Sequence, residues 1–230
     1  MAERLKYLYT PELVTNIATK IKHEHKDFDE HTFVQSVFDN NWDDKELKQR
    51  MRHITHVLHA LLPKNYQQAL AILKPVSSQF TGFETMCFPD YVELYGLDYF
   101  DDSVSALAYF TQYSSSEFAV RPFIQRYGDK MMQQMVVWTQ SDNEHIRRLA
   151  TEGCRPRLPW AMALPAFKQD PTSVIYLLEQ LKDDNSLYVR RSVANNLNDI
   201  AKDHPQKVAD IAMQWLGFSK DRDWLVKHAC

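Results

Sequence analysis

The chain has 230 residues, 44% hydrophobic and 25% charged, with a formal net charge of −3; this is the composition of a globular protein with a sizeable core, and it excludes long disorder. Only 5 residues are glycine, none close to another, which excludes the clustered-glycine loops of Walker A and dinucleotide-binding sites and weighs against an all-β fold built on glycine turns. Residues 1–110 hold 11 Lys and Arg against 16 Asp and Glu, the remainder 16 against 14, a balance too small to imply nucleic-acid binding without clustering.

Taken in chain order, the apolar spacing predicts helices almost throughout. Residues 10–27 carry Leu13, Ile17 and Ile21 four apart behind Pro11, a favoured first helical position. A short helix over 31–38 and a longer one over 44–62 follow, the latter ended by Pro63. A helix over 66–73 is expected to stop before Pro75. Residues 80–99 are aromatic, acidic and weakly periodic, and predict no clear element. Helices over 102–110, 117–125, 130–138, 143–154, 172–181, 186–202, 205–216 and 222–229 then alternate with short polar breaks. No run of alternating strands is present.

Cys87, Cys154 and Cys230 are too widely spaced for a disulfide framework or a CxxC metal knuckle. Residues 1–6 lead into no apolar run and nothing approaches a membrane span, so the expected setting is a reducing cytoplasm with no membrane partner.

The later helices repeat. Ile146–Ala150 (IRRLA) aligns with Val189–Val193 (VRRSV), and a weaker echo falls at Val226–Ala229 (VKHA). Helix pairs recurring after 43 residues, from Ile146 to Val189, predict an all-α fold, an α-α superhelix of HEAT-like repeats, in which stacked pairs bury what one pair cannot. The whole of 1–230 is then one solenoid domain, with N-terminal helices over 1–80 and the chemistry-bearing repeats over 81–230.

The densest polar cluster is residues 147–160, RRLATEGCRPRLPW. Arg148, Glu152 and Arg155 share a helix face near its end, since Gly153 and Pro156 terminate the helix. One reading is a carboxylate in a cationic groove; the other is a surface Arg–Glu network that holds a loop. Doubled arginines at Arg147/Arg148 and again at Arg190/Arg191 favour a cationic track, which Lys227 and His228 would extend, because guanidinium forks suit phosphate. Asn195 and Asp199 share a face with Arg191, while Asn196 reads equally well as a buried ladder residue. In residues 114–123 (SSSEFAVRPF), Ser114 or Ser115 capping a helix would make Glu117 a capping-box residue. His53, His56 and His59 recur on one helix and the carboxylates of 84–102 cluster, but neither spacing matches a metal site, and none is expected.

Residues 114–123, 147–160 and 189–202 (VRRSVANNLNDIAK), with YVELYG at 91–96, resemble the AlkC branch of the AlkC/AlkD HEAT-repeat DNA alkylation repair glycosylases. The likeness is strong over 80–229. It implies a monomeric, cofactor-free glycosylase that excises cationic N-alkylated purines of the 3-methyladenine type from duplex DNA without a base pocket. By motif, it implies that Glu152 is the principal catalytic carboxylate, that Glu117 and Asp199 are further acidic positions, and that Trp160 lies beside the DNA backbone. Arg148, Arg155, Arg157, Arg190 and Arg191 become candidates for phosphate contact. Longer members carry an immunoglobulin-like domain after the repeats, for which residues 1–230 leave no room. The alternatives are a DNA-binding repeat protein without activity and a protein-interaction solenoid.

Overall fold

The computed structural model describes residues 5–229, which form fourteen α-helices, two short 3-10 turns and no strand among the described residues. The fold is all-α, as the periodicity predicts. By contact the chain groups into two compact units, Met1–Ala119 and Val120–Cys230, so its internal division comes later than residue 80.

The first unit contains α1 (Pro11–Glu24), α2 (Glu30–Val37), α3 (Leu47–Leu61), α4 (Tyr66–Ser77), α5 (Cys87–Tyr95) and α6 (Phe100–Phe110). Thr10 caps α1, Asp29 α2 and Asn65 α4, each side chain accepting a backbone N–H of the first turn, and Glu46 with Gln49 forms a capping box on α3. Helix α1 packs on α2 and α4, and α3 on α2 and α5. Val14, Ile17 and Ile21 of α1 are fully buried while Leu13 is partly exposed, so the core face runs through 17 and 21 as predicted but is centred on Val14 rather than Leu13.

Within the first unit, two features depart from the periodicity. Helix α4 runs through Pro75 and ends at Ser77, because Leu73 and Val76 on either side are completely buried and their packing outweighs one lost amide bond. Helix α5 lies inside the stretch that predicted no element. Its residues Cys87 to Val92 are all buried, so it has no polar face to create a period. Among them Asp90 is 2% exposed and pairs with Arg52 of α3 at 2.9 Å.

The second unit contains α7 (Arg121–Tyr127), α8 (Asp129–Trp138), α9 (Glu144–Gly153), α10 (Pro165–Gln169), α11 (Thr172–Leu181), α12 (Leu187–Ala201), α13 (Pro205–Trp215) and α14 (Lys220–Ala229). Here α10 falls where the sequence predicts no helix, and α7 starts four residues after the predicted 117. Helices α8/α9, α11/α12 and α13/α14 are consecutive pairs, and α12 packs between α9 and α14. The three sequence echoes fall on α9, α12 and α14, so the repeat in sequence is a HEAT-like repeat in space.

The doubled arginines divide between two tasks. Arg147 donates back to the Ser141 carbonyl (2.9 Å) and forward to both oxygens of Asp184, at 2.6 and 3.0 Å. Arg190 does the same one repeat on, donating to the Asp184 carbonyl (2.6 Å) and pairing with Asp221 (3.1 Å). Each is a staple from one repeat to the next. Adjacent helical residues point about 100° apart, so Arg148 and Arg191 face elsewhere.

Gly96, at the end of α5, lies where the chain meets α4 and α6. A Cβ there would fall 2.3 Å from Tyr66 Oη and 2.4 Å from Ser103 Oγ, the hydroxyl pair that closes on the Gly96 carbonyl. Gly96→Ala is expected to lower stability by roughly 1–3 kcal/mol, the usual cost of forcing a methyl into a packed site; a urea midpoint equal to wild type would contradict this.

Candidate active site

Helix α9 ends at Gly153, where close approach leaves no space for a side chain: a Cβ at this position would sit 2.5 Å from Val120 Cγ1. The loop that follows is tied down by Arg121, whose side chain is completely buried. Its guanidinium donates to the carbonyls of Gly153 (2.8 Å), Arg155 (2.8 Å) and Met162 (2.7 Å). One side chain thus satisfies carbonyls at the helix end and at both ends of the loop. The loop carries Arg155, Arg157 and Trp160. Trp160 is 47% exposed with φ of 63°, a conformation that non-glycine residues adopt rarely and at some cost in energy.

Two carboxylates are buried at the seam between α9 and α12: Glu152, 5% exposed, and Asp199, 2% exposed. Arg155 bridges them, donating from Nη1 to Glu152 Oε1 (2.7 Å) and from Nε to Asp199 Oδ2 (2.9 Å). Arg148 lies 3.4 Å from the same Glu152 oxygen and over the Tyr188 ring; Lys202 reaches Asp199 at 3.3 Å. Burial works against the charge on Arg155, yet the two carboxylates hold its pKa above the ordinary arginine value. On the other Glu152 oxygen, Ser192 Oγ donates at 2.6 Å.

Helix α12 supplies these partners from one stripe. Ser192, Asn196 and Asp199 stand at i, i+4 and i+7, and each meets the end of α9 or its loop: Ser192 on Glu152, Asn196 Nδ2 on the Thr151 carbonyl (2.7 Å), Asp199 on Arg155. Asn196 is therefore the ladder residue of the two readings open for it. Ser192 and Arg121 were not singled out by sequence. The stripe spacing could have flagged Ser192; a lone arginine before Pro122 carries no signal.

The structure thus brings Glu152, Asp199, Arg148 and Arg155 together. Arg157 pairs with Asp203 at 2.6 Å and is partly exposed. Arg190 is 7% exposed and is one of the repeat staples. Arg191 is exposed and has no ion pair among the described residues. Glu117 belongs to the first unit, ahead of α7 rather than inside it. Its carboxylate accepts from Ser115 Oγ at 2.8 Å, a local turn and not a capping box, because α7 starts at Arg121 with Pro122 in its first turn. No group of three or more His, Cys, Asp or Glu side chains that could hold a metal ion occurs among the described residues.

Cys154, the C-cap of α9, is fully buried against the Ala150 and Thr151 carbonyls. Burial pushes its thiol up to about 12, and burial likewise raises Cys87 well above its ordinary value. Cys230 lies outside the described residues.

Comparison with known proteins places this geometry. Residues 93–214 match the family described as DNA alkylation repair enzyme. The chain is 47% identical over 225 residues to the uncharacterized protein YhaZ of Bacillus subtilis, covering 98% of this chain and 63% of the relative. It superposes with a TM-score of 0.93, at 39% identity, on the Pseudomonas fluorescens alkylpurine DNA glycosylase AlkC bound to DNA containing an abasic site analog, again over 98% of this chain and 63% of the other. The chain thus spans less than two thirds of the length of either.

Two outcomes follow from the geometry. Arg121→Met strands three carbonyls, and a loss of about 3–5 kcal/mol in chemical denaturation is expected; a loss below 1 kcal/mol would remove Arg121 as the anchor of the loop. At pH 8 a thiol reagent followed by peptide mapping should label neither Cys87 nor Cys154 in the native protein and both after denaturation, since reaction proceeds through the thiolate.

Proposed function

The chain belongs to the DNA alkylation repair enzyme family, and from that premise we propose that it is a DNA glycosylase that hydrolyses the N-glycosidic bond of cationic N-alkylated purines, of the 3-methyladenine type, in duplex DNA. The observation that carries the reading is the buried Glu152 carboxylate, held between guanidinium groups and a serine hydroxyl at the foot of the loop that bears Trp160.

An alkylated cationic purine is already a good leaving group, so the reaction needs no strong general acid. The bond between C1′ and the base nitrogen breaks, its electron pair neutralises the base, and the sugar is left as an oxocarbenium ion. Glu152 supplies a fixed negative charge to this ion in a site of low dielectric, where such charge acts strongly. It also orients the attacking water and accepts its proton as oxygen joins C1′. The products are free base, an abasic site and one proton. Asp199 acts through Arg155, keeping that guanidinium beside Glu152. Arg191 and Lys202, both well exposed, meet phosphates, and the exposed face of Trp160 lies along the DNA backbone. No metal or small-molecule cofactor enters the scheme, and the protein acts as a monomer.

Glu152→Gln keeps the shape and is expected to fold and to bind methylated duplex DNA while losing at least about 100-fold in single-turnover base release. Release at the wild-type rate refutes the assignment. Wild-type protein that binds DNA with a steep salt dependence but releases no base is a binder on the same scaffold; one that does neither returns the question to protein interaction. Arg191→Ala should weaken binding uniformly across sequences and reduce the salt slope by about 1, as read from anisotropy titrations at several salt concentrations.

A further inference from the structure

The two oxygens of Glu152 have different company. Oε1 faces Arg155 and Arg148. Oε2 faces Ser192 Oγ, 2.6 Å away on a residue only 2% exposed that belongs to the next repeat. An ionised carboxylate can only accept, so the single Ser192 proton points at Glu152. The hydroxyl oxygen of Ser192 then needs a donor, and Thr151 Oγ1 stands 2.6 Å from it in a fully buried position. Thr151 has one hydroxyl proton and two acceptors in reach, the Arg148 carbonyl at 3.0 Å and the nearer Ser192 Oγ; given to Ser192, it completes a relay from Thr151 to Ser192 to Glu152, whose outer member is the neighbour of Glu152 on the same helix.

The relay opposes a specific alternative. Arg155 reaches Glu152 through a single nitrogen because its Nε is engaged by Asp199. With Oε2 free, the carboxylate could rotate to meet a guanidinium through both oxygens, the geometry that arginine and carboxylate prefer. A carboxylate captured in this way has its charge satisfied within the protein and contributes little to a cation forming outside it. We propose that Ser192, aligned by Thr151, is the positioning residue of Glu152: it fixes the plane of the carboxylate and prevents its bidentate capture by the neighbouring arginines. The proposal rests on the reading of Glu152 as the catalytic carboxylate.

Ser192→Ala removes the hydroxyl without adding volume, and Thr151→Val removes the aligning donor at nearly constant shape. Each is measured three ways: affinity for a methylated duplex, single-turnover base release, and the side-chain carboxyl ¹³C resonance of Glu152 at constant pH, assigned by its loss in Glu152→Gln. The expected result for Ser192→Ala is unchanged affinity, release slowed roughly 10- to 100-fold, the range of one hydrogen bond to a charged group, and a displaced resonance. Thr151→Val should move both readouts in the same direction by less. Ser192→Ala with wild-type release, or with an undisplaced resonance, overturns the proposal. If the wild-type protein releases no base, the glycosylase reading fails by itself, and the resonance alone decides whether Ser192 positions Glu152: displaced supports it, undisplaced overturns it.

Discussion

Taking a carboxylate out of water costs on the order of several kcal/mol even after the protein relaxes around it, and the seam between α9 and α12 does so twice, with Glu152 and Asp199. Much of the local architecture follows from meeting that cost. Arg155 serves both acids with one guanidinium; Arg148 and Lys202 add charge from either side; Ser192 fills the remaining oxygen of Glu152. Arg155 is held in turn by its own carbonyl, which accepts from Arg121. Arg155 is the member the others depend on, because its removal would leave both buried carboxylates without their shared partner.

The repeat explains how such a cluster is assembled without special local sequence. Arg147 ties α9 to the repeat of α12, and Arg190 ties α12 to the repeat of α14, each through an equivalent carbonyl and a carboxylate, and the first of these fixes the register of α9 against α12. Once that register is set, residues 192, 196 and 199 of α12 come opposite the end of α9. The polar cluster then needs only a few positions of a structural unit, while the staples remain in place.

The helices were legible because one apolar face buried against a neighbour leaves a period in the sequence, and 14, 17 and 21 of α1 show it. The period vanishes where burial is complete, which is why α5 was unreadable although its residues are among the most buried. The cluster at 147–160 was legible as a dense run of unlike charges. Its division of labour was not, because two adjacent arginines look alike in sequence and differ only in the direction they point. Arg190 shows the difficulty: the pairing that suggested a phosphate track belongs, at that position, to a staple. Glu117 shows another, since a serine run before a glutamate imitates a capping box wherever the helix actually begins. Contacts such as Arg121 to Met162, which span a loop and give no pattern, are visible only once the chain is folded.

The burial of Cys87 and Cys154 has a consequence for where such a protein can operate. Methylating electrophiles that damage DNA bases also seek thiolates, the softest nucleophiles a protein offers. A thiol packed against carbonyls in an apolar interior and held in its protonated form presents almost none of that nucleophile. The two buried sulfurs are therefore shielded from the reagents whose products the proposed enzyme would remove. Its capacity for repair would then persist during the exposure that creates the need for it.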